Sequence, residues 1–162
     1  CRAHALREAL WGDDDQRRAR VRDKAAAFKS AANAQFDAGE YVVALRGYGT
    51  ALWLLRSDRN TAFPAWLAKS SPLPPRGRSF ANTLYVDDDD AAGGPPDDAS
   101  LAAATWSNAA ACFAKLGDWE GAEATAAIAW RLSKTAKAGL RLASAREHLG
   151  DSKAADTVLL DV

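Results

Sequence analysis

Residues 102–130 read AAATWSNAAACFAKLGDWEGAEATAAIAW, two alanine-rich runs on either side of the turn Gly117-Asp118-Trp119. Alanine loses least on entering a helix, and glycine readily takes the left-handed conformation that a sharp reversal needs. The stretch therefore predicts two helices folded back on one another. The same punctuation returns at Gly39-Glu40-Tyr41 and at Gly150-Asp151-Ser152. Counted from the three glycines, small residues fall at shared offsets. Ala32, Ala110 and Ala143 lie seven before, Ala44, Ala122 and Ala155 five after, and Ala51, Ala129 and Val162 twelve after. Two helices of a hairpin approach closely only where such residues meet. Phe28 and Trp106 (eleven before) and Tyr48 and Leu159 (nine after) are expected to fill the core between them.

This pattern resembles the tetratricopeptide repeat, a helix–turn–helix of ~34 residues that buries its apolar face against neighbouring copies. Gly117 and Gly150 are 33 residues apart, and Gly39 and Gly117 are 78 apart, one period plus an insertion of 44. The resemblance implies an all-α, three-repeat helical array. Its repeats are expected at 25–57, 103–135 and 136–162, with an N-terminal helical extension at 1–24 and a partly disordered insertion at 58–102. The third repeat reaches Val162 without a polar terminal cap, so further sequence, a partner or an oligomer is expected to cover its last face. A first residue of Cys rather than Met leads to the expectation of a processed or partial chain.

Composition agrees with helix. There are 38 Ala against one Ile and six Val, and β-branched residues are what strands prefer. Lys plus Arg and Asp plus Glu are both 21, so a strongly basic nucleic-acid binder and an acidic tail protein are excluded. No run approaches the ~20 apolar residues of a membrane span. Cys1 and Cys112 form no disulfide framework, which leads to the expectation of a reducing, cytoplasmic setting. Cys112 reads as a small buried hydrophobe.

The flanking segments differ in character. DDDQRRARVRDK, residues 13–24, suits a helix N-terminus followed by a solvated charged face, extending the first repeat helix. His4 to Trp11 is expected as a short helix beside it. The insertion holds all six prolines and the run Asp87 to Asp90. Phe63, Trp66, Leu67, Phe80 and Tyr85 are expected to pin its first part onto the array, with its second part solvated. A calcium loop spaces its ligands around a glycine turn, as a plain Asp run does not, so no metal site is assigned.

No catalytic machinery emerges. The chain has two histidines, His4 and His148, and lacks a paired-His helix, a Cys-x-x-Cys and a phosphate loop. Gly47-Tyr48-Gly49 lacks the third glycine and the preceding strand of a dinucleotide fingerprint. His148 reads as a surface residue, and Glu120 and Glu123 as solvent-facing helix charge. No catalytic residue and no cofactor is expected.

One polar set stands out. Lys29 and Asn33 are four apart on the first helix of repeat one, as are Lys137 and Arg141 on that of repeat three. Asn108 and Arg141 both lie nine before a turn glycine. This set resembles the carboxylate clamp of the tetratricopeptide co-chaperones. By that resemblance Lys29, Asn33 and Asn108 would grip the terminal carboxylate of a Glu-Glu-Val-Asp C-terminus on a seventy- or ninety-kilodalton heat-shock chaperone. Lys137 would help hold the last Asp side chain, and Arg141 would contact oxygens further up the peptide. The resemblance thus implies a non-enzymatic adaptor. Two alternatives stay open: the docking part of a larger enzyme (a prolyl isomerase, phosphatase or ubiquitin ligase), or a structural subunit in which the five residues are idle.

Overall fold

A computed structural model describes residues 14–56, 63–67, 74–85 and 98–162. Among them the chain is all-α, with seven helices and no strand. They are α1 (Asp14–Asp37), α2 (Tyr41–Leu54), α3 (Ser79–Leu84), α4 (Ala99–Lys115), α5 (Trp119–Leu132), α6 (Ala136–His148) and α7 (Ser152–Leu160), with a single 3-10 turn at Ala65–Leu67. Among the described residues, no helix is long and apolar enough to cross a membrane. The expected helix at His4 to Trp11, Cys1 and the tract Asp87 to Asp90 lie outside the described residues.

Three hairpins carry the architecture: α1 with α2, α4 with α5, and α6 with α7. Each turn is built the same way. Gly39, Gly117 and Gly150 hold φ of +81°, +73° and +85°, which a side chain would make costly. The amide after each glycine reaches back five residues, Glu40 to Gln35, Asp118 to Phe113 and Asp151 to Arg146, each at 2.9 Å. That bond satisfies a carbonyl that the end of the helix would otherwise strand. Across the turn, the Asp118 carboxylate caps Gly121 N and the Asp151 carboxylate caps Ala154 N, both at 3.0 Å. Asp98 and Thr135 cap α4 and α6 in the same manner.

Burial follows the small-residue offsets. Ala32, Ala44, Ala51, Ala110, Ala122, Ala129, Ala143 and Ala155 are all buried. Gly47 extends the same rule: a methyl group there would come within 2.8 Å of the Ala32 Cβ. The larger residues divide. Trp106 and Tyr48 are buried, whereas Phe28 and Leu159, expected in the core, are 44% and 41% exposed. Both belong to an outer hairpin, which has a neighbour on one side alone among the described residues. Val162 is also half exposed, though it lies over Gly139.

Successive hairpins join through α2 against α4 and α5 against α6. The first helices also touch in series, α1 with α4 and α4 with α6, so they form one continuous wall. Asp14–Asp37 is unbroken, which makes the charged segment and the first hairpin helix a single element.

The described part of the insertion packs against the array. Phe80 is fully buried, edge-on to Phe113 at 5.2 Å and to Trp106 at 6.1 Å. Trp66 lies 5.1 Å from Phe80, Leu67 is buried, and Tyr85 meets Trp106 at 6.2 Å. Phe63 stays exposed but edges onto Trp53 at 5.1 Å. Burying one large side chain such as Phe80 is worth roughly 1.5–3 kcal/mol, so these contacts hold the strap in place.

One surface expectation is corrected here, and another holds with a detail added. Glu123 is not a solvated helix charge: its carboxylate lies 3.5 Å from Arg78 of the insertion and 3.5 Å from Arg146 of α6. His148 is exposed but engaged, its ring stacked on Trp119 at 3.6 Å and its Nδ1 at 2.8 Å from the Ser144 carbonyl. Glu123 is drawn in because the insertion and α6 both reach the α5 side of the array.

Candidate functional site

The wall formed by α1, α4 and α6 holds a cleft of about 270 Å³. Asn33, Phe36 and Asp37 of α1 line it, with Tyr48 of α2 behind. Asn108 and Ala111 of α4, and Lys137 and Arg141 of α6, complete it. Four of the five residues singled out in the sequence therefore meet around one space. Lys29, one helical turn before Asn33, is not among its lining. Its charge is nevertheless felt at Lys137.

A hydrogen-bond chain crosses the cleft from α6 to α2. Arg141 Nη1 donates to the Ser107 carbonyl at 2.7 Å and to Ser107 Oγ at 2.6 Å. The same nitrogen reaches Asn108 Oδ1 at 3.4 Å. Asn108 Nδ2 donates to Asn33 Oδ1 at 3.0 Å, and the Tyr48 hydroxyl donates to that same oxygen at 2.7 Å. These contacts tie the asparagines to each other and fix Arg141 against the second hairpin.

Like charges crowd one side of the cleft. Lys137 is held below the ordinary lysine range, first by the Arg141 guanidinium, then by partial burial and Lys29. Arg141 is lowered by its own burial. Neither Lys29 nor Lys137 makes an ion pair or hydrogen bond among the described residues. Burial pushes the Tyr48 hydroxyl up to about 12, against the lowering influence of the Asn108 amide and Arg141. It also pushes the Cys112 thiol beneath the cleft up to about 12, which leaves it an inert packing residue.

Three further residues belong to this site that the sequence reading left aside. Asp37 lies four after Asn33, one turn along the same face, so helical spacing was enough to find it. Tyr48 was assigned to the core, and its ring is there. Its hydroxyl marks a polar neighbour that Leu159, at the same offset in the third hairpin, does not need. Ser107, buried beside Asn108, is engaged by Arg141 because the α4 and α6 helices touch.

Compared with protein-family models, curated proteins and solved structures, the chain matches none.

Proposed function

We propose that the chain is a three-repeat tetratricopeptide module, and that its cleft docks the acidic C-terminal peptide, of Glu-Glu-Val-Asp type, of a seventy- or ninety-kilodalton heat-shock chaperone. It acts as a cytoplasmic adaptor, and binding makes and breaks no covalent bond. The observation that carries this reading is the meeting of Asn33, Asn108, Lys137 and Arg141 around one cleft, with Lys29 close enough to perturb Lys137. The three glycine turns, alike in backbone conformation and in the bond that reaches back five residues, support the repeat assignment.

The chemistry suits a peptide end. A C-terminal Asp carries two carboxylates close together, and the cleft offers cations and amide donors around one space. Charge-assisted hydrogen bonds contribute ~1.5–3 kcal/mol each before solvent exposure reduces them. Two or three of them, with apolar contact on Phe36 and Ala111, correspond to an affinity of order micromolar, roughly −8 kcal/mol.

Calorimetric titration with a free-acid peptide ending Glu-Glu-Val-Asp tests this. Binding of that order is expected, and the double change Lys137→Ala with Asn33→Ala is expected to abolish it. An absence of heat with the wild-type chain, or unchanged affinity in the double variant, rejects the reading. Peptides from the two chaperone classes, run side by side, then rank the partners.

A further inference from the structure

Resting on the carboxylate-binding reading above, we infer that Tyr48 is a specificity-determining residue: by adding a second hydrogen bond to the Asn33 oxygen that Asn108 already holds, it strengthens the cleft's preference for an ionised chain terminus over a neutral amide.

The argument is one of hydrogen-bond polarity. A guanidinium has donors and no acceptor. Arg141 Nη1, anchored on Ser107, therefore meets Asn108 through its oxygen. That choice turns Asn108 Nδ2 towards Asn33, which must answer with Oδ1. The Tyr48 hydroxyl, 2.7 Å from the same oxygen, completes the set as a second donor. A carbonyl oxygen has two lone pairs, and both on Asn33 are now engaged. What Asn33 has left for a ligand is Nδ2, which has no hydrogen-bond partner among the described residues.

The consequence is chemical selectivity. A carboxylate accepts hydrogen bonds at both oxygens, while a carboxamide sets an N–H donor in place of one of them. With Asn33 locked, that N–H faces another N–H. Burial pushes the Tyr48 hydroxyl up to about 12, so it is protonated throughout the neutral range. Without the hydroxyl, Asn33 Oδ1 keeps one internal partner instead of two. Turning the amide to offer its oxygen to the N–H of a carboxamide then forfeits one internal hydrogen bond instead of two.

The test compares two synthetic peptides ending Glu-Glu-Val-Asp, one with a free terminus and one with a terminal carboxamide. Affinities are measured by calorimetry on the wild-type chain, Tyr48→Phe and Asn33→Asp, each first shown to be folded by its urea transition. The wild type is expected to favour the free acid by about tenfold, the factor that one hydrogen bond of ordinary strength supplies. Tyr48→Phe is expected to narrow that ratio at least about threefold, with the free acid weakened and the carboxamide gaining. Asn33→Asp keeps acceptors for Tyr48 and Asn108 but presents charge to the ligand, so it is expected to lose the preference for the free acid. A purely structural role for Tyr48 would weaken both peptides equally. An unchanged ratio in folded Tyr48→Phe overturns the inference and leaves the carboxylate-binding reading standing. If Tyr48→Phe is unfolded, an unchanged ratio in Asn33→Asp overturns it. A wild type that binds both peptides equally, or neither, overturns both.

Discussion

The Gly77 backbone N–H donates to Asp118 Oδ2 at 2.7 Å, while Oδ1 of the same carboxylate caps Gly121 N at 3.0 Å. One side chain thus starts α5 and ties the insertion to the second turn. Asp151 occupies the equivalent place in the third hairpin, with the cap bond to Ala154 N as its task. Replacing Asp151 by Ala is expected to cost ~0.5–1 kcal/mol, the usual value of an exposed cap. Asp118→Ala also leaves the Gly77 amide without its partner, and is expected to cost about 2–3 kcal/mol. Urea unfolding of the two variants measures the difference. Equal losses would mean that the insertion contributes nothing through this contact.

Two glycines are required for opposite reasons, and substitution separates them. Nothing lies within 4 Å of a Cβ at Gly39, where φ is +81°. Gly39→Ala is expected to destabilise by ~1–2 kcal/mol from conformation alone, and Gly39→Asn to recover part of that, because Asn tolerates the left-handed region. Gly47 has ordinary helical geometry but faces the Ala32 methyl. There Ala gains ~1 kcal/mol of helix propensity and loses ~1–3 to overpacking, while the larger Asn is expected to be worse. Thermal and urea midpoints of the four variants check the crossed pattern. Asn better than Ala at Gly47 would contradict the steric account.

How much of this was legible in the sequence depends on the range of the interaction. The hairpins were readable because a turn glycine and the small residues around it, such as Ala110 and Ala122, act within one supersecondary unit. The convergence of Asn33 and Asn108, 75 residues apart, was readable once both were referred to their own turns. Phe28 and Leu159 were misplaced because an offset cannot tell an inner hairpin from an outer one. The Glu123 pairing with Arg78 and the His148 stack on Trp119 were invisible: each needs segments that meet through packing, with no period connecting them. Tyr48 was half seen, since patterning identifies a buried ring and says nothing about its hydroxyl.

The buried Cys112 and Tyr48 make the fold sensitive to alkali. Burial raises both groups to about 12, from 9.0 and 10.0 in an open chain. Above pH ~9 the unfolded chain releases protons that the folded chain still holds, so stability falls as pH rises. Their contribution is fully present below about pH 9 and is lost progressively up to about pH 12. The slope is at most ~1.4 kcal/mol per pH unit for each group. Urea midpoints between pH 8 and pH 11 are expected to drop, and to drop less steeply in Cys112→Ala, whose overall stability is lower because of the cavity. The same steepness in that variant would assign the effect to other groups.

Asp37 places a negative charge in a cleft whose other charged lining residues are Lys137 and Arg141. It makes no ion pair or hydrogen bond among the described residues, yet its charge reaches far enough to raise Tyr48. It stands one turn beyond Asn33 on α1, ~6 Å along the axis, about two residues of extended peptide away. In a peptide whose terminus docks at Asn33 and whose upstream residues run along α1, an acidic residue is expected to approach Asp37 at its own expense. Asp37→Asn is expected to tighten a Glu-Glu-Val-Asp peptide by roughly 2–5-fold at low salt, matching ~0.2–1 kcal/mol for an exposed charge pair. The gain is expected to disappear near 1 M salt, where the screening length is ~3 Å. A peptide with Lys in place of the first Glu is expected to respond in the opposite sense, weakening in Asp37→Asn. If both peptides respond alike, Asp37 acts on the cleft itself and not on the residue upstream of the terminus.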